Sequence, residues 1–160
     1  MHIKVFKTLL RFKNCLSALP LPLYVCIGIL SLLCVSALFY FVMPEMPQES
    51  DNGDTLSIII IATVFAPLIE TFAFQFLPIE VSQYILRDKY KRKSVPISIA
   101  ISATFFSLVH SQSISYILYA FAMGIILALF YYIKSGYGFA KPFIATWLIH
   151  LSWNLIAILL

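Results

Sequence analysis

Five apolar runs, at roughly residues 20–43, 56–86, 95–113, 114–134 and 141–160, take up most of this 160-residue chain. Each has or approaches the ~20 residues that a helix needs to cross a bilayer. In hydrocarbon, a spanning segment must satisfy its own backbone N–H and C=O groups, which a helix does within itself. The expected fold is therefore all-α, a polytopic bundle of about five transmembrane helices. Charged residues make up 11% of the sequence, against about 25% in an ordinary soluble domain. Nearly every residue lies in an apolar run or a short connection, which leaves no room for a separate soluble domain. The organisation expected is a basic amphipathic segment over 1–19 followed by one transmembrane domain over 20–160.

The charges sit at the ends of the runs and set orientation. The first connection, PEMPQESDNGD, carries Glu45, Glu49, Asp51 and Asp54 and no basic residue. The second carries Arg87, Lys89, Lys91, Arg92 and Lys93 against Asp88, and the fourth carries Lys134 and Lys141. By the positive-inside rule, the N-terminus and the second and fourth connections face the cytoplasm, and the C-terminus lies outside. The net charge of +4 is thus spent on topology and implies no nucleic-acid partner. Lys4, Lys7 and Arg11 share one helical face opposite Val5, Leu9 and Phe12, the pattern of a short helix lying on anionic lipid. The apolar run behind them is longer than the ~7–15 residues of a signal-peptide core, so it reads as an uncleaved first span. Cys15, Cys26 and Cys34 have no metal-site spacing and read as buried packing residues.

Within this frame Glu70 stands out as the only charged residue between Asp54 and Glu80. An ionisable group at such depth is costly and marks an ion path, a proton relay or a catalytic site. No Lys or Arg inside a run is placed to pair with it, so histidine, amide, hydroxyl or water must satisfy it. His110 and His150 each lie in another run. Counting 1.5 Å per residue from the cytoplasmic ends puts Glu70 at roughly 24 Å and His110 at roughly 22 Å, nearly level. His150 and Asn154 are four residues apart and share a helix face. A glutamate beside a histidine can activate water as a general base, and a second histidine with an amide can donate to a developing oxyanion. Glu70, His110 and His150 could equally hold zinc with an open position.

The residues around these groups carry a family pattern. Ala66-Pro67-Leu68-Ile69-Glu70-Thr71-Phe72-Ala73-Phe74-Gln75 resembles the first motif of the CPBP intramembrane proteases, the CAAX-protease and bacteriocin-processing (Abi) family. Phe106-Ser107-Leu108-Val109-His110 is similar to the second motif, Phe-xxx-His, and His150-Leu151-Ser152-Trp153-Asn154 to the third, His-xxx-Asn. The motif-bearing core is 56–160. The resemblance implies an intramembrane endopeptidase in which Glu70 with His110 activates water and His150 with Asn154 stabilises the oxyanion, with no cofactor. The substrate implied is a peptide or a membrane-protein segment, in the cell membrane of a bacterium. Two positions depart from the pattern: Thr71 stands where the family has a second glutamate, and Gln75 where it has arginine. Both charges of one pair are absent together, so neither leaves the other buried alone, and Thr71 with Gln75 are expected to form a neutral substitute contact. The chain is also short for the family, and a second copy of it is a candidate partner. Two other classes compete with the protease reading. One is a non-catalytic membrane interaction or regulatory protein, and the other is a proton-coupled carrier subunit.

Smaller expectations complete the reading. Pro67 and Pro78 should kink the second span or end it early. Ala120, Gly124 and Ala128 form a small-residue stripe for close helix packing. Glu80, Tyr131 and Tyr132 read as interfacial, Gln112 and Ser113 as solvated at an outer turn, and Trp147 and Trp153 as pocket wall or lipid-facing.

Overall fold

The computed structural model describes residues 11–43, 59–86, 90, 93–136 and 138–159. The N-terminal ten residues, the acidic first connection and most of the basic second connection lie outside the described residues. So does most of the proposed surface helix, and with it Lys4 and Lys7.

The described residues form an all-helical bundle. A short helix α1 covers residues 11–17. It is followed by α2 (Leu21–Val42), α3 (Ile61–Leu86), α4 (Ser94–Val109), α5 (Ile114–Lys134) and α6 (Ala140–Leu159). Four of these, α2, α3, α5 and α6, are long and apolar enough to cross a membrane, and α4 is a shorter apolar helix. The chain is an integral membrane protein.

Helix α4 departs most from expectation. It was expected to run to residue 113 and stops at Val109, so His110 is its C-cap and not a residue inside a span. Ser113 follows as the N-cap of α5, its Oγ accepting a hydrogen bond from the Tyr116 N–H at 3.1 Å. A serine in that place satisfies one of the N–H groups a helix start leaves over.

Lipid tails are as apolar as leucine, so helices in a bilayer associate through close packing and interhelical hydrogen bonds. Both are present. Helices α4 and α5 pack most extensively, across the expected stripe of Ala120, Gly124 and Ala128, all buried. A Cβ at Gly124 would lie 3.0 Å from the Ala103 Cα, tighter than an ordinary contact, so glycine lets the two helices approach this closely. Gly28 plays the same part between α2 and α6, where a Cβ would overlap the Ile149 side chain. Tyr24, Leu32, Phe106, Leu127 and Ile149 belong to the main core between these helices.

Three residue readings are corrected. Cys15, Cys26 and Cys34 are exposed free thiols. Cys15 lies on α1, and Cys26 and Cys34 lie on the outer face of α2; a thiol is apolar enough for lipid, so the preference for burial seen in water does not apply there. Tyr131 is fully buried, its hydroxyl donating to Glu80 Oε1 at 2.9 Å. Lys134 is 9% exposed and does more than set orientation. Its Nζ donates to the carbonyls of Ser17 and Leu19 at 2.9 and 3.0 Å, tying the end of α1 to the end of α5.

Candidate active site

The site is built on α3, whose two prolines neither end it nor leave its ladder intact. A π-turn precedes each one: Ile61–Phe65 before Pro67 and Thr71–Phe76 before Pro78. Proline has no N–H, and its ring clashes with the carbonyl four residues back. The wider π-turn moves the hydrogen bonding out by one residue, from Ala66 N–H to Ile61 O and from Leu77 N–H to Phe72 O. Of the two expected outcomes, a kink or an early end, the early end does not occur, and the helix continues to Leu86.

The consequence is a set of freed carbonyls. Ala62 O loses its helical donors, because the Ala66 N–H goes to Ile61 and Pro67 has none. Asn154 Nδ2 donates to it instead, at 3.0 Å. Phe74 O loses the donor that residue 78 would have supplied, and Ser102 Oγ replaces it at 2.5 Å. Trp147 Nε1 donates to Val64 O at 3.3 Å. Buried backbone groups must be paired, and here neighbouring helices supply the donors. The third motif is in this way clamped to the helix that carries the first.

Glu70 lies between the two π-turns, in the α-helical segment Ala66–Glu70. Its Oε2 is 3.5 Å from His150 Nε2, with the glutamate side chain 23% exposed and the histidine 4%. The direct ionisable neighbour is therefore His150, where depth counting had suggested His110. His110 nonetheless shares a cavity with His150.

His110 is oriented by the end of its own helix. Its Nδ1 is 2.7 Å from Phe106 O, one of the carbonyls that a helix C-terminus leaves without an N–H partner. A carbonyl can only accept, so Nδ1 carries the proton and Nε2 of the neutral ring keeps its lone pair. The Phe106 ring packs against both imidazoles, with centroids 4.5 Å from His110 and 5.6 Å from His150. It holds the two histidines near each other without a direct hydrogen bond.

His110, His150 and Asn154 all line one cavity of about 60 Å³, walled by Phe106, Tyr116, Tyr119 and Trp153 among others. That volume suits a few water molecules, not a peptide. Glu70 does not line it and meets it through His150. Trp153 is thereby a cavity wall, while Trp147 is a clamp on α3. Tyr116 and Tyr119 were missed from the sequence because they belong to no motif and reach the cavity only through packing of α5.

Thr71 and Gln75 do not make the neutral contact expected of them. Thr71 Oγ1 and both amide atoms of Gln75 are buried without a hydrogen-bond partner among the described residues, as are Thr146 Oγ1 and His150 Nδ1. Among the described residues no three His, Cys, Asp or Glu side chains gather so as to hold a metal ion, Glu70, His110 and His150 included. A larger cavity of about 430 Å³ lies at the opposite end of α3, lined by Glu80, Gln83, Tyr84, Tyr132 and residues of the α5–α6 connection.

No curated protein and no solved structure matches the chain. One family does, over residues 52–156, and its description is Type II CAAX prenyl endopeptidase Rce1-like. That match takes in α3 to α5, α6 as far as residue 156 and every residue of the site, and the chain belongs to this Rce1-like family of CAAX-type intramembrane proteases.

Proposed function

We propose that the chain is a glutamate-dependent intramembrane endopeptidase whose active centre is Glu70, His110, His150 and Asn154. The observation that carries this is the Glu70–His150 approach of 3.5 Å beside a water-sized cavity lined by His110 and Asn154. A charge-bearing pair at this depth is expensive to keep, and it adjoins space that can admit the second reactant of a hydrolysis.

In the proposed reaction a water molecule is held between Glu70 and His110 Nε2. It attacks the scissile carbonyl carbon, and its proton passes to the Glu70 carboxylate. The carbonyl oxygen becomes an oxyanion, stabilised by N–H donation from His150 Nε2 and from the second amide hydrogen of Asn154. Glu70 then returns the proton to the amide nitrogen as the C–N bond breaks. The first amide hydrogen of Asn154 stays on Ala62 O and fixes the side chain, so its orientation need not be organised during the reaction.

The cavity is too small for a peptide, so the scissile segment reaches Glu70 from its 23% exposed side. The substrate is a peptide or a membrane-protein segment. CAAX-type substrates require a prenylated partner, whereas leader peptides or bacteriocin-like precursors do not. In the proposed orientation the N-terminus is cytoplasmic and the C-terminus outside, and a second copy of the chain is a candidate partner.

The test is cleavage by the full chain in liposomes, using fluorogenic peptides with and without a farnesylated C-terminal CAAX sequence. Activity on either peptide that disappears in Glu70→Gln supports the proposal. Full activity in that variant overturns it and favours the interaction-protein reading.

A further inference from the structure

Five buried polar atoms, on Thr71, Gln75, Thr146 and His150, have no hydrogen-bond partner among the described residues. On α3, Pro67, Thr71, Gln75 and Ile79 form a fully buried stripe facing the bundle centre. On α6, Thr146 and His150 lie on the buried face. Two contacts between these antiparallel helices bracket the group: Glu70 with His150 on one side, and Phe76 with Phe143, ring centroids 6.5 Å apart, on the other. Thr71, Gln75 and Thr146 fall between them in the register of both helices. Each of the three is 0% exposed.

The two threonines behave unlike other hydroxyls of the bundle. Thr63, Ser82, Ser98 and Thr104 each close a bond onto a carbonyl of their own helix four residues back, the usual resting place for a helical hydroxyl. Thr71 and Thr146 do not. Their hydroxyls, with the Gln75 amide, remain available to a third party. A buried polar atom left unpaired carries its full desolvation penalty, and five together would weigh heavily against the small net stability of a fold. The four side chains make no hydrogen bonds with one another, so direct pairing does not remove that penalty. A polar site with several donors and acceptors is where internal water resides.

We propose that Thr71, Gln75 and Thr146 hold ordered water against Nδ1 of His150, and that this water sets the tautomer of the histidine. With the Nε2 proton directed at the Glu70 carboxylate, Nδ1 is an acceptor and requires a donor. Water anchored by the two hydroxyls and the amide supplies it. Thr71, Gln75 and Thr146 are then positioning residues that act through His150, in the way that partners of a ligating or catalytic imidazole fix its orientation. Their importance for cleavage rests on the proposed active centre, whereas their binding of water does not.

The experiment uses the full chain, labelled with 15N-histidine, in lipid nanodiscs. Water-edited spectra and the 15N shifts of His150 are compared between the parent, the double variant Gln75→Leu with Thr146→Val, and the conservative pair Gln75→Asn with Thr146→Ser. The parent is expected to show His150 protonated at Nε2, hydrogen-bonded at Nδ1 and in contact with water. The double variant should lose the water contact and show Nδ1 without a hydrogen bond, and the conservative pair should retain both. Cleavage by the double variant should fall about tenfold or more, mainly in kcat, with rescue in the conservative pair. Glu70→Gln should abolish cleavage and keep the water contact. A parent without water at His150, or a double variant with unchanged water contact and tautomer, overturns the proposal. An inactive parent that shows the water contact would defeat the protease reading and leave the water site standing.

Discussion

The polar groups around His150 fall into two sets that are held by different means. Glu70, His110 and Asn154 are each fixed by a named contact: the His150 ring at 3.5 Å, the Phe106 carbonyl at 2.7 Å and the Ala62 carbonyl at 3.0 Å. Thr71, Gln75 and Thr146 are more deeply buried and have no such contact. Within the first set, His110 and Asn154 use main-chain carbonyls that a helix end or a proline has released, and Glu70 meets a side chain. The second set lies along regular turns of α6 and a π-turn of α3 where no carbonyl points at it. Side chains in this bundle are held where they reach a released carbonyl or another side chain, and those that reach neither depend on something that can bridge them.

The largest expected effect tests the first set directly. Glu70→Gln should lower the cleavage rate by about 10²–10⁴, the usual contribution of a positioned acid–base group, with the helical circular dichroism unchanged. A smaller loss, about 10²-fold at most, is expected for His110→Phe, which keeps the ring packing on Phe106 and removes the Nε2 lone pair. Equal activity in this variant and the parent would remove His110 from the first set.

Asn154→Leu should slow cleavage and also lower stability by about 1–3 kcal/mol, since it leaves Ala62 O buried and unpaired. Adding Pro67→Ala restores an N–H to α3, and the stability loss should shrink in the double variant while the rate stays low. Thermal unfolding in detergent reads this coupling, and strict additivity would contradict the freed-carbonyl account. Ser102→Ala removes the donor to Phe74 O and should cost about 1–3 kcal/mol with little change in rate, since Ser102 does not line the cavity. The smallest expected effect is that of a zinc chelator. Cleavage should be unchanged by 1,10-phenanthroline, and its abolition would mean that Glu70, His110 and His150 gather into a set not found in the described residues.

Much of this was legible in the sequence because bilayer thickness converts run length into helices. The expected spans 20–43 and 114–134 differ by no more than a residue at either end from α2 and α5. The small-residue stripe on α5 was legible for a related reason, since without a hydrophobic drive in lipid only close approach holds helices together. The motif residues could be named because each is a polar group where polarity is costly. The surfaces of α2 were misread, because burial preferences learned in water do not carry over to a face that meets lipid. Tyr131 was misread because its partner, Glu80, is 51 residues away.

By itself the sequence determined that this is a helical membrane protein with a carboxylate deep in an apolar run and two histidines in the order its family uses. Helix length, apolar composition and residue type are local properties and can be read along the chain. Which histidine faces Glu70, that α4 ends in time to make His110 a cap, and that Pro67 hands the Ala62 carbonyl to Asn154 were decided by the tertiary structure alone. Those outcomes depend on helix rotation and on hydrogen bonds between residues up to 92 positions apart, which no local pattern encodes.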